Sequence, residues 1–145
     1  MAQPMEKRIA QWRGSWVGLA LALGVHVTDE ALTGFLPVYN AVVEGIRARH
    51  PWVPLPTFTF SVWLCGLVVG ILVLLALTPL VSRGARWIRF VSLILGVLMS
   101  GNALGHMGAS LYWGRPAPGV YSAPFLLIAS VALLVTASRA NVRAP

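Results

Sequence analysis

His26, Asp29 and Glu30 stand together as His-Val-Thr-Asp-Glu inside an apolar run long enough to cross a membrane. Charged groups at that depth are costly to bury, so their presence points to function. On a helix His26 reaches Asp29 at i+3 and Glu30 at i+4, and the three side chains share one face. A second polar pair, Asn102 and His106, is also spaced by four within an apolar run. These five are the candidate catalytic residues. Two chemistries fit their types. In the first, His26, Glu30 and His106 ligate a divalent metal, Zn or Fe, whose open position carries an activated water. In the second there is no metal: a carboxyl group exchanges a proton with the substrate, an imidazole is its partner, and Asn102 orients a side chain or donates to a developing oxyanion. Glu30, on the i,i+4 face of His26, is the better candidate for the working carboxylate. The residue types leave both chemistries open.

The elements that must position these groups are membrane helices. Of the 145 residues 57% are hydrophobic and 10% charged, and the mean hydropathy is +0.76. That composition excludes an ordinary soluble domain. Apolar runs predict an all-α polytopic bundle of about four helices, a single transmembrane domain over 1–145 with spans at about 15–39, 58–81, 87–112 and 121–137. Pro51, Pro54 and Pro56 interrupt the first connection, Pro79 closes the second span, and Pro116 and Pro118 separate the last two. Trp12, Trp16, Trp52, Trp63, Trp87 and Trp113 with Tyr39, Tyr112 and Tyr121 fall near the expected ends, as an interfacial aromatic belt does.

The net charge of +7 would suggest nucleic acid in a soluble protein, but here the basic residues lie between apolar runs. They read as topology signals and contacts to anionic membrane lipids, and no nucleic-acid face is expected. Lys7, Arg8, Arg13, Arg83, Arg86, Arg89, Arg139 and Arg143 fall on one side and Arg47, Arg49 and Arg115 on the other. Both termini are therefore expected in the cytoplasm. The N-terminal run continues well past Ala20-Leu21-Ala22, so an uncleaved first helix is expected in place of a signal peptide. Cys65 is the only cysteine, which excludes an intrachain disulfide or thiolate cluster and reads as a small core side chain.

Depth brings the polar groups together. About 27 Å of helix separates Trp12 from Glu30 and about 28 Å separates Trp87 from His106, both rising from the same side. Tyr121 and Ser122 open the last helix from the opposite side and could approach the same layer. Gly101, Gly105 and Ala109, and likewise Gly66 and Gly70, read as close helix contacts. Glu44, Arg47, Arg49 and His50 read as a solvated cluster in the first outer connection. Pro118-Gly119 reads as a turn into a helix whose free N–H groups could receive an anion. Against an enzyme stand two other readings: a polar cluster that only pins helix register, and a proton-coupled carrier or channel using Asp29 and Glu30 as a relay. The absence of an internal repeat weighs against a monomeric carrier, although a homo-oligomer could supply a missing half. No Gly-rich nucleotide-binding fingerprint is present, so no nucleotide-binding loop is expected.

The chain resembles the HXXEE family, small multi-span membrane proteins with a His-x-x-Glu-Glu motif and Asn-Ala-x-x-His and Tyr-x-Pro-Gly elements. The matching residues are His26-Val27-Thr28-Asp29-Glu30, Asn102-Ala103-Leu104-Gly105-His106 and Pro116-Ala117-Pro118-Gly119. Asp29 replaces the first Glu, keeping the charge but shortening its reach, and Pro116 replaces the Tyr, removing a hydroxyl unless Tyr121 substitutes. The resemblance implies an integral membrane enzyme of unknown reaction. A lipid or other apolar small molecule is the expected substrate; whether the reaction is hydrolysis or isomerisation is not legible from the residues.

Overall fold

The computed structural model describes residues 2–140, with side chains from Met5 onward. Arg143, one of the residues used to assign topology, lies outside them. Six helices account for most of the chain: α1 (Ala2–Thr33), α2 (Phe35–Arg49), α3 (Phe60–Ala76), α4 (Thr78–Ser82), α5 (Arg86–Trp113) and α6 (Ala123–Arg139). Among the described residues there are no strands, and the all-α expectation holds. Phe60–Ser82 and Arg86–Trp113 are each long and apolar enough to cross a membrane, and α1 with α2 would be a third candidate span. Helix α6 is apolar and has 17 residues, at the lower limit of the roughly 17–25 that a span needs.

The first apolar run is divided where a continuous helix to Tyr39 was expected. Gly34 adopts φ 79°, a left-handed conformation that glycine alone takes without strain, and the chain bends by 78° into α2. The first connection is thus helical as far as Arg49, and Glu44, Arg47, Arg49 and His50 on it are exposed, as a solvated cluster should be. Leu36 and Val43, seven residues apart, give α2 one buried face, and its last turn carries Arg47 and Arg49, which suit the helix dipole. Asn40 fixes α2 to the proline-rich connection: its Nδ2 donates to the Phe58 carbonyl at 2.8 Å and its Oδ1 accepts from the Phe58 N–H at 3.1 Å. The Tyr39 hydroxyl donates to the Pro56 carbonyl at 3.1 Å.

Helix α3 starts at Thr59, whose hydroxyl accepts from the Val62 N–H, and breaks at Leu77 two residues before Pro79. Trp16 meets that break, donating from Nε1 to the Leu74 carbonyl at 2.7 Å. The main contacts run α3 to α1, α1 to α6 and α6 to α5, so α1 and α6 form the inner pair. No comparable interface joins α3 to α5.

The packing corrects three sequence expectations. Trp12 and Trp16 are 0% and 1% exposed, not interfacial, and Trp12 Nε1 donates to Ser92 Oγ at 3.0 Å. The tight crossing of α5 with α6 lies at Gly96, where a Cβ would stand 2.6 Å from Leu134 Cγ and 3.2 Å from the Ser130 carbonyl. Ser100 and Ser130 share a hydrogen bond of 2.9 Å one turn away. By contrast a Cβ on Gly66, Gly70, Gly101 or Gly105 would meet nothing within 4 Å, so those small residues do not make helix contacts. Cys65 is exposed on α3 rather than packed in a core.

Candidate functional site

Helices α1 and α5 and the turn before α6 carry the site. His26 and Glu30 project from one face of α1, His106 from α5, and the turn before α6 closes over them. All three are buried. Glu30 Oε1 lies 3.5 Å from His26 Nε2 and 3.1 Å from His106 Nε2. The two imidazoles meet edge to face, their centroids 4.8 Å apart. One ligand atom from each of the three residues falls within 4.8 Å of the others, so the group is compact enough to hold a single ion.

The partners of the other ring nitrogens decide what faces inward. His106 Nδ1 meets the Pro118 carbonyl, which can only accept, so Nδ1 carries the proton. His26 Nδ1 lies 2.8 Å from Ser122 Oγ. That hydroxyl has one proton, and Asp29 Oδ2 takes it at 2.8 Å while also accepting the Ser122 N–H at 2.8 Å. Ser122 Oγ is then left to accept from His26, whose Nδ1 carries the proton in turn. Each imidazole therefore turns its remaining ring nitrogen, Nε2, toward the Glu30 carboxylate. His26 Nε2 is buried and has no hydrogen-bond partner.

Asp29 and Glu30, adjacent in sequence, thus face different neighbours. Glu30 meets the two histidines, whereas Asp29 is half-buried and holds Ser122 at the start of α6. The anion expected at that helix start is the chain's own Asp29. Ser122, expected only to approach the layer, joins Asp29 to His26. Tyr121 turns outward and is 65% exposed. Pro116 lines the cleft beside Tyr121, and it is the Pro118 carbonyl, not a tyrosine hydroxyl, that reaches His106.

Gly119 seals the group. Its φ of +80° is left-handed, and a Cβ there would stand 2.9 Å from His106 Cε1 and 3.0 Å from Glu30 Cγ. Thr33 fixes this turn, accepting from the Gly119 N–H at 3.0 Å and donating to the Asp29 carbonyl at 2.6 Å. Sequence reasoning passed over Thr33; its signal was its place seven residues after His26, two turns along the same helical face. Asn102 lies one turn before His106 on α5 and lines with it a neighbouring cleft, its Oδ1 buried and without a hydrogen-bond partner.

A family described as a protein of unknown function with HXXEE motif matches residues 16–134. No curated protein and no solved structure matches the chain.

Proposed function

The chain belongs to the HXXEE-motif family, whose function is unknown, and we propose that it is a membrane-embedded enzyme using a divalent metal held by His26, Glu30 and His106. The observation that carries this reading is the convergence of two imidazole Nε2 atoms on one carboxylate oxygen in a buried pocket, with His26 Nε2 lacking a hydrogen-bond partner. Three electron-rich atoms so placed repel unless a cation or a proton lies among them. Imidazole and carboxylate ligands suit Zn or Fe. Each imidazole also donates its other N–H to an acceptor, the usual arrangement behind metal-ligating histidines. A metal bound here would polarise a substrate oxygen or a bound water.

The chain's own residues then have separate tasks. Asp29 and Ser122 hold His26 in one tautomer and orientation, the Pro118 carbonyl does so for His106, and Gly119 and Thr33 keep the turn against the pocket. Asn102 is placed to hydrogen-bond a substrate in the adjoining cleft. The apolar surroundings favour a lipid or another apolar small molecule. The excess of Lys and Arg around the helix ends away from the site supports cytoplasmic termini, with the site in the outer half of the membrane.

Metal analysis of detergent-purified protein tests the proposal. Wild-type protein reconstituted with Zn or Fe should hold about one ion per chain, and His26→Ala and His106→Ala should hold none. A wild-type protein that takes up no metal would overturn it and leave Glu30 with His106 as an acid–base pair.

A further inference from the structure

The pocket opens sideways. His106 and Asn102 face a cleft of about 270 Å³ whose other walls include Phe35, Val38, Gly105 and Ala109. A second cleft of about 430 Å³ continues from it, sharing Val38, Trp113, Ala117 and Pro118 and adding Thr33, Arg115 and Tyr121. The inner part is apolar apart from His106 and Asn102, whereas the outer part carries a cation. Arg115 lies over the Trp113 ring at 5.9 Å, and among the described residues no carboxylate pairs with it. Trp113 itself is about 10 Å along α5 from His106. With Tyr112 and Tyr121 exposed beside it, this end has the aromatic character of a membrane–water boundary.

Two observations restrict the occupant. The inner cleft, about 270 Å³, is a narrow apolar groove that suits a slender hydrocarbon chain. An unpaired guanidinium at the mouth favours an anionic head, which it can bind through two parallel hydrogen bonds. A neutral oil would leave Arg115 unmet, and a cationic amphiphile would be repelled at the mouth.

Building on the reading of this pocket as the reaction site, we propose that its substrate is a single-chain amphiphile with an anionic head. The carboxylate or phosphate head rests on Arg115, and the chain runs past Val38 to Phe35 and Ala109. This places the part of the molecule next to the head, not the head itself, beside His106.

The test is competition binding to the metal-loaded protein in nanodiscs, with radiolabelled dodecanoate as probe and dodecyl phosphate, dodecanol and dodecylamine as competitors. Wild-type protein should bind dodecanoate or dodecyl phosphate about tenfold more tightly than dodecanol, the value of one charge-assisted contact. Arg115→Ala should erase that preference and Arg115→Glu should shift it to dodecylamine. Gly105→Leu, at a position with open space around it, should weaken all four alike by filling the cleft. Metal content read on the same samples keeps the two proposals apart. Stoichiometric metal with no preference for an anionic head would overturn the amphiphile and leave the metal site standing. An anion preference that survives Arg115→Glu would overturn the assignment of Arg115.

Discussion

Replacing Gly119 by Ala should disable the site without changing the identity of any ligand. Two costs can be worked separately. The left-handed backbone at φ +80° costs a Cβ-bearing residue about 1–2 kcal/mol. The new methyl would stand 2.9 Å from His106 Cε1 and 3.0 Å from Glu30 Cγ, where carbon atoms settle at about 3.5–4.0 Å, so these groups must yield by roughly 0.5–1 Å. Such overpacking adds about 1–3 kcal/mol. A metal centre tolerates departures of only about 0.2 Å in its ligand distances, so the displacement should cost about 10–100-fold in affinity. Gly114→Ala is the control, because φ there is +62° but a Cβ would meet nothing within 4 Å. It should lose about 1 kcal/mol of stability and keep its metal. The assay is thermal unfolding in detergent together with chelator competition for Zn. Metal affinity in Gly119→Ala within about threefold of wild type, a difference of under 1 kcal/mol, would refute the close approach of that turn to the ligands.

Ser122→Ala should lower metal affinity about 10–100-fold by freeing the tautomer and orientation of His26, and Ser122→Thr should restore most of it in the same chelator titration. Glu30→Gln should abolish metal binding, whereas Asp29→Asn, which keeps an acceptor for Ser122, should cost about tenfold or less; equal tolerance of both would return the cluster to a structural role. Gly96→Ala should destabilise the bundle by about 1–3 kcal/mol through Leu134 and Ser130, while Gly101→Ala, with open space around it, should be nearly neutral in thermal unfolding. A reporter fused at either terminus should behave as cytoplasmic and one inserted near Pro54 as external; an external C-terminal reporter would overturn the topology.

Much of the architecture was legible because membrane helices write themselves as long apolar runs. Proline and glycine punctuation located most of the breaks, and i,i+4 spacing placed His26 with Glu30 and Asn102 with His106. The bend at Gly34 was not legible. A glycine in an apolar run is compatible with a straight helix, and its left-handed φ depends on where α2 finds partners in Phe58 and Pro56. The small-residue stripes misled for a related reason. Gly101 and Gly105 have the spacing of a helix contact, yet Gly96 is the residue against Leu134, because the crossing is set by the packing of α5 on α6 and not by one helix alone.

The sequence by itself determined that this is a helical membrane protein and that His26, Glu30 and His106 lie at similar depth, since both follow from hydropathy and from helical rise. Tertiary structure decided which groups meet. It parted Asp29 from Glu30, gave Asp29 to Ser122, and turned both Nε2 atoms toward a single carboxylate. Neighbours in sequence are about 100° apart around a helix, so adjacent acids present themselves to different partners. Which partner each one finds depends on the helix and the turn packed against that side of α1.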